Sequence, residues 1–260
     1  MANNKNLKPT PPSSPQGVNN SFLLEETSSH IAKIMQELET LKKIACDKLQ
    51  PIEARLEAYE DIFESEIGDT SLTRARNIER EVGFRQIFLK FEGGNPTGTQ
   101  KDRIAFAQVQ DALRRKFAAI ALATCGNYGA AMAFACYSAG LRCIIHIPEG
   151  YHTKRIQEML DYGAELVRVT GDYEKSVEVS KAYAAANEAY NANPGGANTI
   201  LQLRAYAEIA YEIYDELRDA PGFVAAPVSN GTTLAGIYKG FVNLYRRGKT
   251  SRIPRIIAGS

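Results

Sequence analysis

Three short loops hold the residue types that could do chemistry. The first, Gly93 to Arg103 (GGNPTGTQKDR), follows the apolar run Ile87 to Phe91 and opens a helix. Its Gly and Pro residues set a tight turn. Lys101 falls in the helix's first turn, where the positive end of the helix dipole disfavours an ammonium. A lysine placed there is biased towards the neutral, nucleophilic amine that imine formation with an aldehyde needs. The plain alternative is a surface lysine at a helix start. The second loop, Thr124-Cys125-Gly126-Asn127-Tyr128-Gly129, lies between the run Ala118 to Ala123 and the next helix. Backbone donors at a helix N-terminus make an anion site suited to a carboxylate, although Asn127 is equally read as a helix cap. The third, Ser229-Asn230-Gly231-Thr232-Thr233, follows Val224 to Val228 and sets small hydroxyl residues around a glycine at a helix start, an arrangement suited to phosphate. It is not a nucleotide P-loop, because the GK[ST] ending is absent.

These loops need elements to position them. Short apolar runs at Ile87 to Phe91, Ala118 to Ala123, Cys143 to Ile147, Leu166 to Val169 and Val224 to Val228 read as strands. Helical spacing marks Asp102 to Lys116, Tyr128 to Ala139, Thr153 to Tyr162, Tyr173 to Ala189, Leu203 to Leu217 and Thr232 to Arg246. Strands alternating with helices predict an α/β fold with parallel sheets covered on both faces. Ligands of such sheets sit beyond the strands' carboxyl ends, where all three loops fall. Upstream, Phe22 to Leu49 and Pro51 to Phe63 read as helices, and Asn191 to Gly196 (NANPGG) as a loop between blocks.

Composition narrows the partners. With 31 Lys plus Arg against 30 Asp plus Glu, the chain has no electrostatic footprint for nucleic acid or an anionic membrane, so a small molecule is the expected ligand. No segment reaches the roughly 20 apolar residues of a membrane span. Residues 1–20, rich in Pro, Ser and Asn, read as a disordered tail. Cys46, Cys125, Cys136 and Cys143 are scattered singly, which predicts no zinc site and no disulfide framework and fits a reducing cytoplasm. His30 and His146 read as packing or surface residues, and no metal site is expected. His152 and Lys154 read as a solvated helix start or as contacts to a substrate anion. Cys125 reads as a loop contact rather than a catalytic thiol, and the Tyr206 to Tyr214 segment as a packed helix face.

Taken together, the loops resemble those of the threonine synthase-like, pyridoxal-phosphate-dependent enzymes of the tryptophan synthase β superfamily. NPTGTQKDR resembles the NPTGSFKDR signature around the Schiff-base lysine, with Gln100 where an aromatic or other apolar residue is usual. TCGNYG resembles the superfamily's asparagine loop, SNGTTLAG its phosphate loop, and GDTSLTRA (Gly68 to Ala75) the segment preceding the lysine strand. The resemblance implies a two-lobed fold type II architecture and pyridoxal 5'-phosphate as cofactor. It further implies that Lys101 forms the Schiff base and shuttles the α-proton, and that Asn127 bonds the cofactor's phenolic oxygen. Thr124, Cys125, Gly126 and Tyr128 would hold the substrate carboxylate, and Ser229, Asn230, Gly231, Thr232 and Thr233 the cofactor phosphate. The large domain would take residues 21–102 and 194–260, and a small mobile domain residues 103–193. The implied activity is a lyase, threonine synthase, converting O-phosphohomoserine to threonine in amino-acid biosynthesis, in a cytoplasmic homodimer. The alternatives are β-replacement or β-elimination on serine derivatives, or a non-catalytic relative.

Departures from the pattern bear on the site. Cys125 replaces the usual Ser, and the phosphate loop has a single central glycine. The sequence stops just after the strand-like run Ile253 to Ala258, where relatives continue for on the order of a hundred residues. The large domain is therefore expected to be incomplete at its C-terminus, without the group that meets the pyridine nitrogen.

Overall fold

The computed structural model describes the backbone of residues 20–259 and side chains from residue 31 onward. The tail expected at residues 1–20 lies outside the described residues, apart from Asn20, which opens the first helix. Two units divide the chain, the first ending at Thr40 and the second beginning at Leu41. The first is helical from Asn20 onward.

In chain order the elements are α1 (Asn20–Cys46), α2 (Ile52–Glu66), β1 (Leu72–Arg74), α3 (Arg76–Val82), β2 (Phe88–Lys90), α4 (Lys101–Arg114), β3 (Ala119–Ala123), α5 (Asn127–Ala139) and β4 (Arg142–Pro148). There follow α6 (Ile156–Asp161), β5 (Glu165–Val169), α7 (Tyr173–Ala186), β6 (Tyr190–Asn191), α8 (Thr199–Leu217), β7 (Phe223–Pro227), α9 (Thr232–Arg246) and β8 (Arg255–Gly259).

A four-stranded parallel sheet, ordered β5-β4-β3-β6, forms the centre. Because strand side chains alternate in direction, β3 sends Ile120 and Leu122 into the main core while Ala119 and Ala121 join a second cluster with Ala184 of α7. The neighbour β4 alternates likewise: Cys143, Ile145 and Ile147 enter the main core, and Ile144 joins the α7 side. His146 lies buried there, its ring 5.5 Å from that of Tyr183, as a packing residue. All of α5 except Asn127 and Tyr137 is buried, which accounts for a helix apolar on every face.

Two smaller pairs complete the strands. The β7 and β8 pair is parallel, with Phe223 opposite Arg255, and α9 connects them. By contrast, β1 and β2 are antiparallel, with Leu72 opposite Lys90, which corrects the expectation of parallel strands throughout. Neither β1 nor α3 carried a readable period; at three and seven residues they are too short to show one. Helix α6 is shorter than the segment Thr153 to Tyr162 predicts, because the Thr153 hydroxyl accepts a hydrogen bond from the Arg155 amide and holds a turn first. Helix α7 ends before Ala189, since Glu188 turns left-handed (φ 48°) and leads into β6, whose second residue, Asn191, is the first of the expected NANPGG loop.

Candidate active site

The lysine loop is held by its own side chains. Asn95 is buried, donates from Nδ2 to the Glu92 carbonyl at 2.9 Å, and accepts at Oδ1 from the Gly68 amide at 3.0 Å. Thr97 donates to the Asp102 carboxylate from both amide and hydroxyl. Gly98 takes a left-handed φ of 79°, which a side chain would strain, and its amide closes the turn on the Asn95 carbonyl at 2.8 Å. The Thr99 hydroxyl then accepts from the Lys101 amide at 3.1 Å. Most of the NPTGTQKDR motif is thus architecture that delivers Lys101 as the first residue of α4.

Arg103 anchors this turn from beneath. Its guanidinium bonds Glu92 (2.6 and 2.9 Å) and Glu212 of α8 (2.6 and 2.9 Å), and the Thr70 hydroxyl also donates to Glu92 at 2.7 Å. Lys90 of β2 joins Glu212 from the other side. Burial opposes the Arg103 cation, yet hydrogen bonds and charge from Glu212 and Glu92 hold its pKa above the ordinary value. Burial likewise acts to raise the Glu212 carboxyl, but Arg103 and Lys90 outweigh it and bring the pKa down to about 2.

The Lys101 side chain lies in a cleft of about 530 Å3, within the range of roughly 300–1,000 Å3 common for small-molecule pockets. The facing wall is the turn Ser229, Asn230, Gly231 and Thr233 at the start of α9. Burial lowers the Lys101 pKa, which favours the free amine. Its Nζ donates to the hydroxyl of Tyr206 in α8 at 3.3 Å and stands 5.7 Å from that ring's centre. Gly231 caps α9 in a left-handed conformation (φ 78°) and, lacking a side chain, caps none of the first-turn amides itself. The Thr232 amide is occupied by Asn230 Oδ1 at 3.2 Å. A helix start with only its first amide taken by a side chain, flanked by hydroxyls and sharing a cleft with an amine of lowered pKa, is a donor set matched to a small aldehyde bearing a phosphate.

Lys101 and the Ser229 to Thr233 turn therefore share one cleft, with Thr232 set back from its lining. Thr124, Cys125, Gly126, Asn127 and Tyr128 do not line it. In that second loop the cap of α5 is Gly126 and makes no side-chain bond, so Asn127 is not the helix cap; it is exposed, and its side chain has no hydrogen-bond partner among the described residues. Tyr128 turns inward, where its hydroxyl donates to the Ala192 carbonyl at 2.7 Å and accepts from Gln108 at 2.6 Å, leaving only its main chain for a ligand. Burial raises the Cys125 thiol pKa, which disfavours a reactive thiolate. His152 and Lys154 are exposed.

Sequence reasoning missed Tyr206 as a neighbour of Lys101. One signal was present: Tyr206 shares a helix face with Gln202, Ile209 and Ile213, and a tyrosine on a buried face must find a partner for its hydroxyl. The approach of α9 to α8 was unread as well. A Cβ on Gly236 would stand 2.4 Å from the Tyr206 Cβ, and one on Gly240 2.7 Å from the Ala207 carbonyl oxygen. Only glycine permits this contact.

Comparison with known proteins agrees with the geometry. The family described as pyridoxal-phosphate dependent enzyme matches residues 63–259. A threonine synthase of Methanocaldococcus jannaschii is 29% identical over 241 residues, covering 87% of this chain and 58% of the relative. A threonine synthase of a Bacillus species is 34% identical over 194 residues, covering 73% and 53%. Among solved structures, maize serine racemase aligns with a TM-score of 0.66 at 18% identity over 79% of this chain and 60% of that one, a likeness of fold. The chain belongs to the family of pyridoxal-phosphate-dependent enzymes, on its threonine synthase-like, fold type II branch. It spans little more than half the length of the curated relatives named here. Among the described residues, no helix is long and apolar enough to cross a membrane.

Proposed function

We propose that the chain carries the lysine and phosphate-binding parts of a threonine synthase, acting on O-phosphohomoserine. The observation that carries the reading is the Lys101 amine, its pKa lowered by burial, sharing one cleft with the Ser229 to Thr233 turn at the start of α9. Ser229, Gly231 and Thr233, with Asn230 and Thr232 shaping the turn, would hold the cofactor phosphate, and Asn127 would bond the phenolic oxygen. The backbone of Thr124 to Tyr128 would hold the substrate carboxylate. When bound, pyridoxal phosphate supplies an electron sink for charge developing at the substrate Cα. The chain's own part is to hold that carbon near Lys101 Nζ, which as a neutral amine can take the α-proton and later return it. The same reading carries a cytoplasmic location, in keeping with the four unpaired thiols, and a homodimer.

Borohydride reduction of the cofactor-loaded protein and peptide mapping tests the assignment. Label on Lys101, lost in Lys101→Ala, is expected; label on Lys154 or Lys239 would overturn it. A panel of O-phosphohomoserine, O-phosphoserine, O-acetylserine, serine and threonine tests the substrate, and turnover of a serine derivative without turnover of O-phosphohomoserine would exclude threonine synthesis.

A further inference from the structure

We infer that Tyr206 is a positioning residue for Lys101, aiming its amine across the cleft through a hydroxyl that serves the amine in either protonation state. The inference rests on the reading of Lys101 as the cofactor-bearing lysine. Tyr206 is the hydrogen-bond partner of Lys101 Nζ, at 3.3 Å, from a helix 105 residues away in the chain. The same tyrosine touches the opposite wall, since α9 packs on it through Gly236, and the Thr233 side chain acts on its phenol, lowering the pKa against burial. One side chain thus meets both the amine and the phosphate turn.

Phenol chemistry suits this place. A carboxylate beside Lys101 would trap the ammonium as an ion pair and suppress the nucleophile. A neutral phenol accepts from the ammonium and donates to the free amine, so it directs the nitrogen without fixing its charge. Burial pushes the Tyr206 pKa well up, the Thr233 side chain opposing it only in part, so the phenol stays protonated. The charged groups acting on it are Glu92, Arg103 and Asp102, and each is engaged elsewhere: Glu92 with Arg103, and Asp102 with Thr97. No charged neighbour contributes to the lowering at Lys101, which burial alone causes.

Tyr206→Phe keeps the Cβ and main chain on which Gly236 seats and removes only the hydroxyl. Two probes are applied to the cofactor-free whole protein. Pyridoxal phosphate reports capture: the neutral amine bonds the aldehyde carbon, and its two protons leave with the aldehyde oxygen as water. Pyridoxine 5'-phosphate, which has no aldehyde, reports the phosphate turn alone. Between pH 6 and 10, the high-pH plateau of the capture rate should fall about fivefold in Tyr206→Phe, the size of one uncharged hydrogen bond, with pyridoxine 5'-phosphate affinity unchanged. An unchanged plateau overturns the inference. Equal weakening of both probes also overturns it, because the hydroxyl would then serve the phosphate turn. Absence of capture at Lys101 in the unaltered protein overturns the functional reading and the inference with it. A measurement that needs no variant of Tyr206 uses 13Cζ-labelled tyrosine: its Tyr206 signal should shift as Lys101 loses its proton, and no such step should remain in Lys101→Ala. A signal unmoved in the unaltered protein overturns the inference.

Discussion

Thr97 grips Asp102 twice, from its backbone amide at 2.9 Å and its hydroxyl at 2.7 Å, closing the turn that presents Lys101. Burial raises the Asp102 carboxyl to about 6, against the hydrogen bonds from Thr97 and the charge of Arg155. A raised acid stabilises the fold when protonated, fully below its unfolded value of 3.8, and that contribution is lost as pH rises through about 6. Asp102→Asn removes this dependence. The variant's stability relative to the parent should therefore improve by about 2 kcal/mol between pH 4.5 and pH 8. Denaturant unfolding at the two pH values checks it, and a constant difference would refute the raised carboxyl.

Arg103 sits between Glu92 and Glu212 with both carboxylates in double contact. Arg103→Met leaves two partly buried carboxylates short of their cation and should cost about 3–5 kcal/mol. Arg103→Lys should recover little of it, because an ammonium cannot fork to two carboxylates. The depressed Glu212 contributes stability that is complete above its ordinary value of 4.5 and lost as pH falls towards about 2. Acid unfolding should accordingly lose steepness in this window in Arg103→Met. Matching urea midpoints for parent and variant would show the cluster to be dispensable.

Thr233 lines the cleft and Thr232 does not. Thr233→Val should weaken pyridoxal phosphate binding by about 1–3 kcal/mol, the range of a hydrogen bond to a charged group, while Thr232→Val has the smaller effect. Titration of the cofactor-free protein ranks the two. A reversed ranking would move the phosphate to the outer side of the turn.

Gln108 gathers a buried polar knot. Its Oε1 accepts from Asn198 and from Gln202 at 3.2 Å, and its Nε2 donates to the Tyr128 hydroxyl. Gln108→Leu strands the Gln202 amide in the interior and should cost about 2 kcal/mol. Because Tyr128 follows Asn127 in α5, binding of substrate analogues should suffer along with stability. Unaltered stability would mean that water replaces the lost partner.

Three of the four central strands and most helices were legible because their apolar runs and helical periods were clean: Ala118 to Ala123 predicted a strand, and Ala119–Ala123 is one, while α9 matches its predicted span; β6 was not read as a strand. Motif order likewise marked Lys101 and the Ser229 to Thr233 turn as site candidates. Tyr206 was invisible because its role depends on where α8 crosses α4, a tertiary fact, and its sequence neighbours read simply as a packing face. The Arg103 cluster was hidden for the same reason: Glu92 and Glu212 come from segments 120 residues apart, counted from their numbers. Strand β1, at three residues, printed no pattern, so its antiparallel pairing with the expected strand β2 went unread.

The glycines at 236 and 240 have one more effect. Lys101 refers its position to α8 through Tyr206, and its neighbour Arg103 does so six residues further along through Glu212; the Ser229 to Thr233 turn refers its own to α8 through the close seat of α9. Two parts measured from one ruler share its errors. The bare positions on α9 thus let a single helix set the spacing between the amine and the turn.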